Sequence, residues 1–83
     1  MNTYRFDREL VSRQIIQNLR DAGMDIPTAD TREYMDNLGS LDSKDLLVVL
    51  LESHNKKEQV LGKNIPMTET ELYFLETRCI NLN

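Results

Sequence analysis

The sequence has one cysteine, no tryptophan, three glycines and two prolines, and its longest uninterrupted apolar run is six residues. A lone cysteine, Cys79, leaves no intramolecular disulfide and so no disulfide-stapled secreted scaffold. With one cysteine and one histidine, His54, a Cys/His zinc site cannot be assembled from this chain alone. The apolar run is far below the roughly 20 residues a membrane-spanning helix needs. Met1–Asp7 holds no apolar stretch followed by small residues, as a secretory signal would, so the expected location is cytoplasmic. No glycine-rich phosphate loop occurs, and no aromatic–basic interleaving offers a base-stacking platform.

What is present is 83 residues, 40% hydrophobic and 29% charged, with a net charge of −4. That is one small domain over residues 1–83. A chain of this size buries only about 60% of the surface its unfolded form exposes, so the core is thin. The acidity argues against nucleic acid, because phosphate contacts require clustered Lys and Arg.

The spacing predicts four helices and an all-α bundle. Over 7–22, Val11, Ile15, Leu19 and Ala22 form one stripe, widened by Leu10 and Ile16. Asp7 stands as its N-cap, Phe6 and Val11 have staple spacing, and Gly23 supplies a left-handed end. A short second helix over 30–38 has Asp30 and Glu33 at capping-box spacing, Tyr34, Met35 and Leu38 on its apolar side, and Gly39 to stop it. A third begins at Asp42 or Ser43 and contains Leu46–Leu51. That run fits a buried strand too; the acidic start of Asp42, Ser43 and Asp45 favours a central helix, ending near residue 54 or continuing to Leu61 before Gly62. Thr68-Glu69-Thr70-Glu71 is a capping box with Met67 and Leu72 as staple, and Leu72, Leu75 and Cys79 share the following face beside Phe74 and Ile80. His54 reads as a surface residue near a helix C-terminus, and Cys79 as a buried structural thiol.

Charge is concentrated. Residues 25–45 hold Asp25, Asp30, Glu33, Asp36, Asp42 and Asp45 against Arg32 and Lys44, an excess equal to the net charge of the whole chain. Acids cap helix starts, and they also make a docking face for a basic partner, with Asp30, Glu33, Asp36, Asp42 and Asp45 as its candidates. A calcium loop does not fit: with Gly39 in the glycine position, Tyr34 and Leu38 fall where oxygen ligands are needed.

Gly39-Ser40-Leu41-Asp42-Ser43-Lys44-Asp45-Leu46-Leu47 resembles the Gly-x-Leu-Asp-Ser motif of acyl, peptidyl and D-alanyl carrier proteins, and Glu33–Gly39 resembles the segment before it. The resemblance covers about 20 residues and implies a phosphopantetheine arm on Ser43, at a helix start. Lys44 stands where the family has a large apolar residue, and a second register would put the arm on Ser40. Beside that alternative, the residues themselves carry no catalytic, metal or nucleotide signature. The expectation is therefore a non-enzymatic interaction or regulatory module without a cofactor. Its protein partner has a basic or apolar surface, with a homodimer open because six apolar residues in a row exceed what so small a bundle can enclose.

Overall fold

A computed structural model of the protein describes the backbone of residues 3–82 and the side chains of residues 8–76. It is all-α: α1 (Thr3–Asp21), a 3₁₀ turn (Thr28–Asp30), α2 (Thr31–Gly39), α3 (Ser43–Leu61) and α4 (Glu69–Leu82). α3 and α4 pack on α1 and on each other, and α2 packs on α1. Among the described residues there is no strand, and no helix is long and apolar enough to cross a membrane.

The core is where three apolar stripes meet. Val11 and Ile15 from α1, Leu46 and Leu50 from α3, and Phe74 from α4 are buried together, with Leu19, Leu38, Leu41, Leu47 and Val49 partly buried against them. Leu46–Leu51 is helical throughout. Its i, i+4 pair Leu46 and Leu50 is fully buried while Val48, midway between them, is exposed, a split a strand would not make.

Helix ends follow the local chemistry in most places. Gly23 has φ +93°; its N–H donates to Arg20 O and that of Met24 to Leu19 O, the paired closure of a Schellman end. Gly62 has φ +70° and donates to Glu58 O, so α3 runs its full length to Leu61. Asp42 caps α3, its Oδ1 accepting from Asp45 N at 2.8 Å.

Five expectations need correction. α1 begins at Thr3, so Asp7 lies within the helix and does not cap it; its side chain, with those of Phe6, Cys79 and Ile80, lies outside the described residues. Asp30 makes no side-chain cap bond: the 3₁₀ turn already puts its backbone at φ −93°, ψ −4°, helical rather than extended, so the Asp30–Glu33 box does not form. Gly39 is the last residue of α2, and its φ is not positive; the end is closed instead by Ser40 N–H on Asn37 and Leu38 carbonyls. Leu10 and Leu72 are exposed, because α1 turns Val11 and Ile15 inward and α4 turns Glu71 and Phe74 inward. His54 is buried, as described below.

Two arginines fasten the α2 region to α1. Arg8 donates to the carbonyls of Gly39 and Leu41, and Arg20 donates to Ile26 O (3.2 and 3.1 Å) and Thr31 Oγ1 (2.9 Å).

The split within Leu46–Leu51 is testable by denaturant titration. Leu46→Ala and Leu50→Ala are each expected to cost about 2–5 kcal/mol, the range for truncating a buried leucine. Val48→Ala should cost below about 1 kcal/mol, as surface positions do. Equal losses at all three positions would contradict the helical arrangement.

Candidate functional site

Polar residues line the inner faces of the helices beside the apolar stripes. Continuing α1's stripe from Val11 and Ile15 leads to Asn18, and continuing α3's from Leu46 and Leu50 leads to Ser53, His54 and Lys57. On α4 the turn before Phe74 brings in Glu71. All five are buried, with Asn18 and Glu71 at 0% exposure. They form one hydrogen-bonded cluster below the hydrophobic core.

Asn18 is its distributor. Its Nδ2 donates to Ser53 Oγ (3.2 Å) and Glu71 Oε2 (3.0 Å), and its Oδ1 accepts from Lys57 Nζ (2.9 Å) and Gln14 Nε2 (3.0 Å). That uses both protons and both lone pairs of the amide. Gln14 Oε1 accepts in turn from Thr68 Oγ1 at 3.0 Å, and Ser53 Oγ donates to Leu50 O at 2.8 Å.

Glu71 is where the helices converge. Oε1 accepts from Thr68 N (2.8 Å), while Thr68 Oγ1 accepts from Glu71 N (3.2 Å), completing the capping box. Oε2 lies 2.9 Å from His54 Nδ1. The other ring nitrogen, Nε2, lies 2.9 Å from Ile65 O, and Glu58 Oε2, 3.7 Å from Nε2, accepts from Ile65 N at 2.8 Å. Burial pushes the Glu71 carboxyl up. The bonds from Thr68 N–H and the Asn18 amide, with the charge and bond of His54, outweigh it and hold the carboxyl below its ordinary value of 4.5.

This arrangement joins α1, α3, α4 and the connection before α4 through one set of hydrogen bonds. Ser53 and His54 are neighbours in sequence, yet the Ser53 proton goes to the Leu50 carbonyl, and both His54 nitrogens are committed to Glu71 and Ile65. A serine activated by histidine needs a hydroxyl–imidazole hydrogen bond, which this pair does not make. Among the described residues no group of His, Cys, Asp and Glu is arranged to hold a metal ion.

The acids singled out from the sequence lie elsewhere. Glu33 and Asp36 are exposed on α2, Asp42 and Asp45 are exposed at the start of α3, and Asp30 is half-buried before α2. Asp42 and Asp45 are joined by the cap bond; no described hydrogen bond or ion pair links them to the acids of α2. Asp36 lines a surface cleft of about 420 Å³ between α1 and α2, where Arg8 and Arg32 are offset by Glu9 and Asp36. Ser43 is the first residue of α3 and is half-buried. Compared with models of known protein families, with characterised proteins and with solved structures, the chain matches none.

The sequence does contain a sign of the buried cluster that a reading by apolar residues passes over. Asn18 lies three residues after Ile15, Ser53 and His54 three and four after Leu50, and Glu71 three before Phe74, all at helical spacing from buried apolar residues. His54 was assigned to a helix end because α3 was allowed to stop there; in a helix that continues to Leu61 it is a mid-helix residue on the inner face.

The Glu71 carboxylate gives a pH prediction with a definite sign. Its depressed value means that its contribution is fully present above pH 4.5 and fades as pH falls through the lower native value. Glu71→Gln is expected to cost about 1.5–3 kcal/mol at neutral pH, the scale of hydrogen bonds to a charged group. The gap between variant and parent should narrow in acid, where the parent's carboxyl also becomes neutral. Denaturant midpoints measured from neutral to acid pH check it, and a gap independent of pH would rule out the ionised carboxylate as its source.

Proposed function

We propose that the protein is a small non-enzymatic interaction module that docks a basic, amphipathic helical segment of another protein on the outer face of α3. The observation that carries the reading is the exposure of Val48 (47%) and Leu51 (38%) beside the exposed carboxylates of Asp45 and Glu52, with exposed Lys44 at one end of the patch. Asp45 lies three residues before Val48 and Glu52 four residues after it, so all three share one stripe of the helix. Asp42 adds a further exposed carboxylate at the helix start. An apolar anchor framed by carboxylates suits a partner with Leu-type side chains flanked by Lys or Arg. Glu33 and Asp36 on α2, with half-buried Asp30, lie outside that centre and add to the negative field that steers a basic partner in.

Fluorescence anisotropy with a labelled Lys/Leu amphipathic peptide tests the reading. Asp45→Lys with Glu52→Lys is expected to weaken binding about tenfold at low salt and less at high salt, because exposed charges are screened. Val48→Ser with Leu51→Ser should weaken it similarly at both salts. Failure of the parent protein to bind the peptide, or sedimentation showing a dimer that occupies this face, would overturn it.

A second reading is a carrier bearing phosphopantetheine on Ser43. It is favoured by one observation: Ser43 opens α3 directly after the capping Asp42. Intact mass after incubation with coenzyme A and a broad-specificity phosphopantetheinyl transferase tests it. A carrier gains one phosphopantetheine, and Ser43→Ala gains none. An unchanged mass, under conditions that modify a known carrier, rejects this reading.

A further inference from the structure

His54 is the only histidine in the chain, and each of its ring nitrogens faces an acceptor. Nδ1 faces a carboxylate oxygen of Glu71, and Nε2 faces the carbonyl of Ile65, which can only accept. A neutral imidazole has one N–H. It can therefore satisfy one of these two partners and must turn a lone pair toward the other. Only the doubly protonated ring donates to both.

The two contacts lead to different parts of the molecule. Through Nδ1, α3 holds α4. Through Nε2, α3 holds the connection between α3 and α4, whose Ile65 N–H is also taken by Glu58 and whose Thr68 N–H is taken by Glu71. The start of the connection stays on the helix, with Gly62 and Lys63 N–H on Glu58 O, while at Ile65 and Thr68 its backbone is held by side chains of one charged cluster. The charged and titratable groups facing the ring are Glu71 from α4 and Glu58 from its own helix. The connection presents the Ile65 carbonyl, and α1 contributes to the cluster the uncharged amides of Gln14 and Asn18, the latter receiving Lys57 Nζ.

We propose that His54 is a proton-operated latch: the doubly protonated ring clamps the 62–68 connection and α4 to α3, and loss of one ring proton releases one of the two. The proton leaves from a ring nitrogen to solvent and the ring becomes neutral. Glu71 keeps its carboxylate, since the Asn18 amide and the Thr68 N–H still bind it. The retained N–H then chooses between Glu71 and Ile65. The charge-assisted bond to the carboxylate is the stronger of the two, so the Ile65 carbonyl is the partner released. The consequence is a connection that is tight in the acid limb of the histidine titration and looser in the alkaline limb.

The experiment is nitrogen-15 NMR on the whole chain across the full pH range over which the native fold persists. The single histidine makes the ring signals unambiguous. Expected are two protonated ring nitrogens in the acid limb and one in the alkaline limb. The Ile65 and Thr68 amide signals should move with the same midpoint. Exchange of the Ile65 amide, corrected for the intrinsic pH dependence of exchange, should accelerate about fivefold to tenfold, the equivalent of one hydrogen bond. His54→Gln supplies the control, because it removes the ring whose protons operate the latch. In that variant the 62–68 amides should lose their pH response over the range in which the parent ring changes protonation. A parent ring carrying one proton throughout, or a ring titration that leaves the 62–68 amides unmoved, would overturn the proposal.

Discussion

One carboxylate, Glu71, holds the three long helices in register. It accepts from Asn18 of α1, from Thr68 at the start of its own helix, and lies 2.9 Å from His54 of α3. The apolar contacts among Val11, Ile15, Leu46, Leu50 and Phe74 drive the helices together, but such contacts are non-directional and tolerate sliding. Hydrogen bonds to a buried charge do not. Shifting α4 by one residue along α1 would take Glu71 from Asn18 and His54 and leave a buried carboxylate with only its own helix's Thr68 N–H, which costs more than a repacked leucine. A thin core thus gains from polar groups a specificity of arrangement that its small apolar volume does not supply.

α3 separates two tasks by face. Its inner side carries Leu46 and Leu50 and then the polar cluster, so it is the strut against which α1 and α4 are set. Its outer side keeps Val48 and Leu51 in water beside Asp45 and Glu52. The run Leu46–Leu51 is therefore apolar on every side for two different reasons, and an 83-residue chain has enough neighbouring structure to cover only one of them.

Local chemistry was the legible part of the sequence. Gly23 and Gly62 end their helices with positive φ, Asp42 caps α3, and the Thr68–Glu71 box closes as its spacing requires. These features depend on residues within a turn of each other. Asp30 makes no cap because the preceding 3₁₀ turn, closed by its own N–H on Pro27 O, fixes its backbone in a helical conformation. The depth of Glu71 and His54 was not legible by the same means. A capping box sits as readily at the surface as in the interior, and which side of α3 faces inward is decided by where α1 and α4 lie. The acids proposed as a docking face were visible as composition. Their division between α2 and α3 is a matter of tertiary placement, which composition does not carry.

The 3₁₀ turn and α2 bury none of their residues fully, and the arginine side chains of α1 hold their flanks. Its apolar share is the partial burial of Leu38 against the core, so opening this segment costs less than opening the unit made by α1, α3 and α4. A protease acting on the native protein would then cut first between residues 22 and 31. The nicked chain would still hold the core, because the five buried core residues and the Glu71 cluster lie on the fragments either side of the cut. Stability of the whole and integrity of this one segment are therefore separate quantities, and a global unfolding curve is blind to the second.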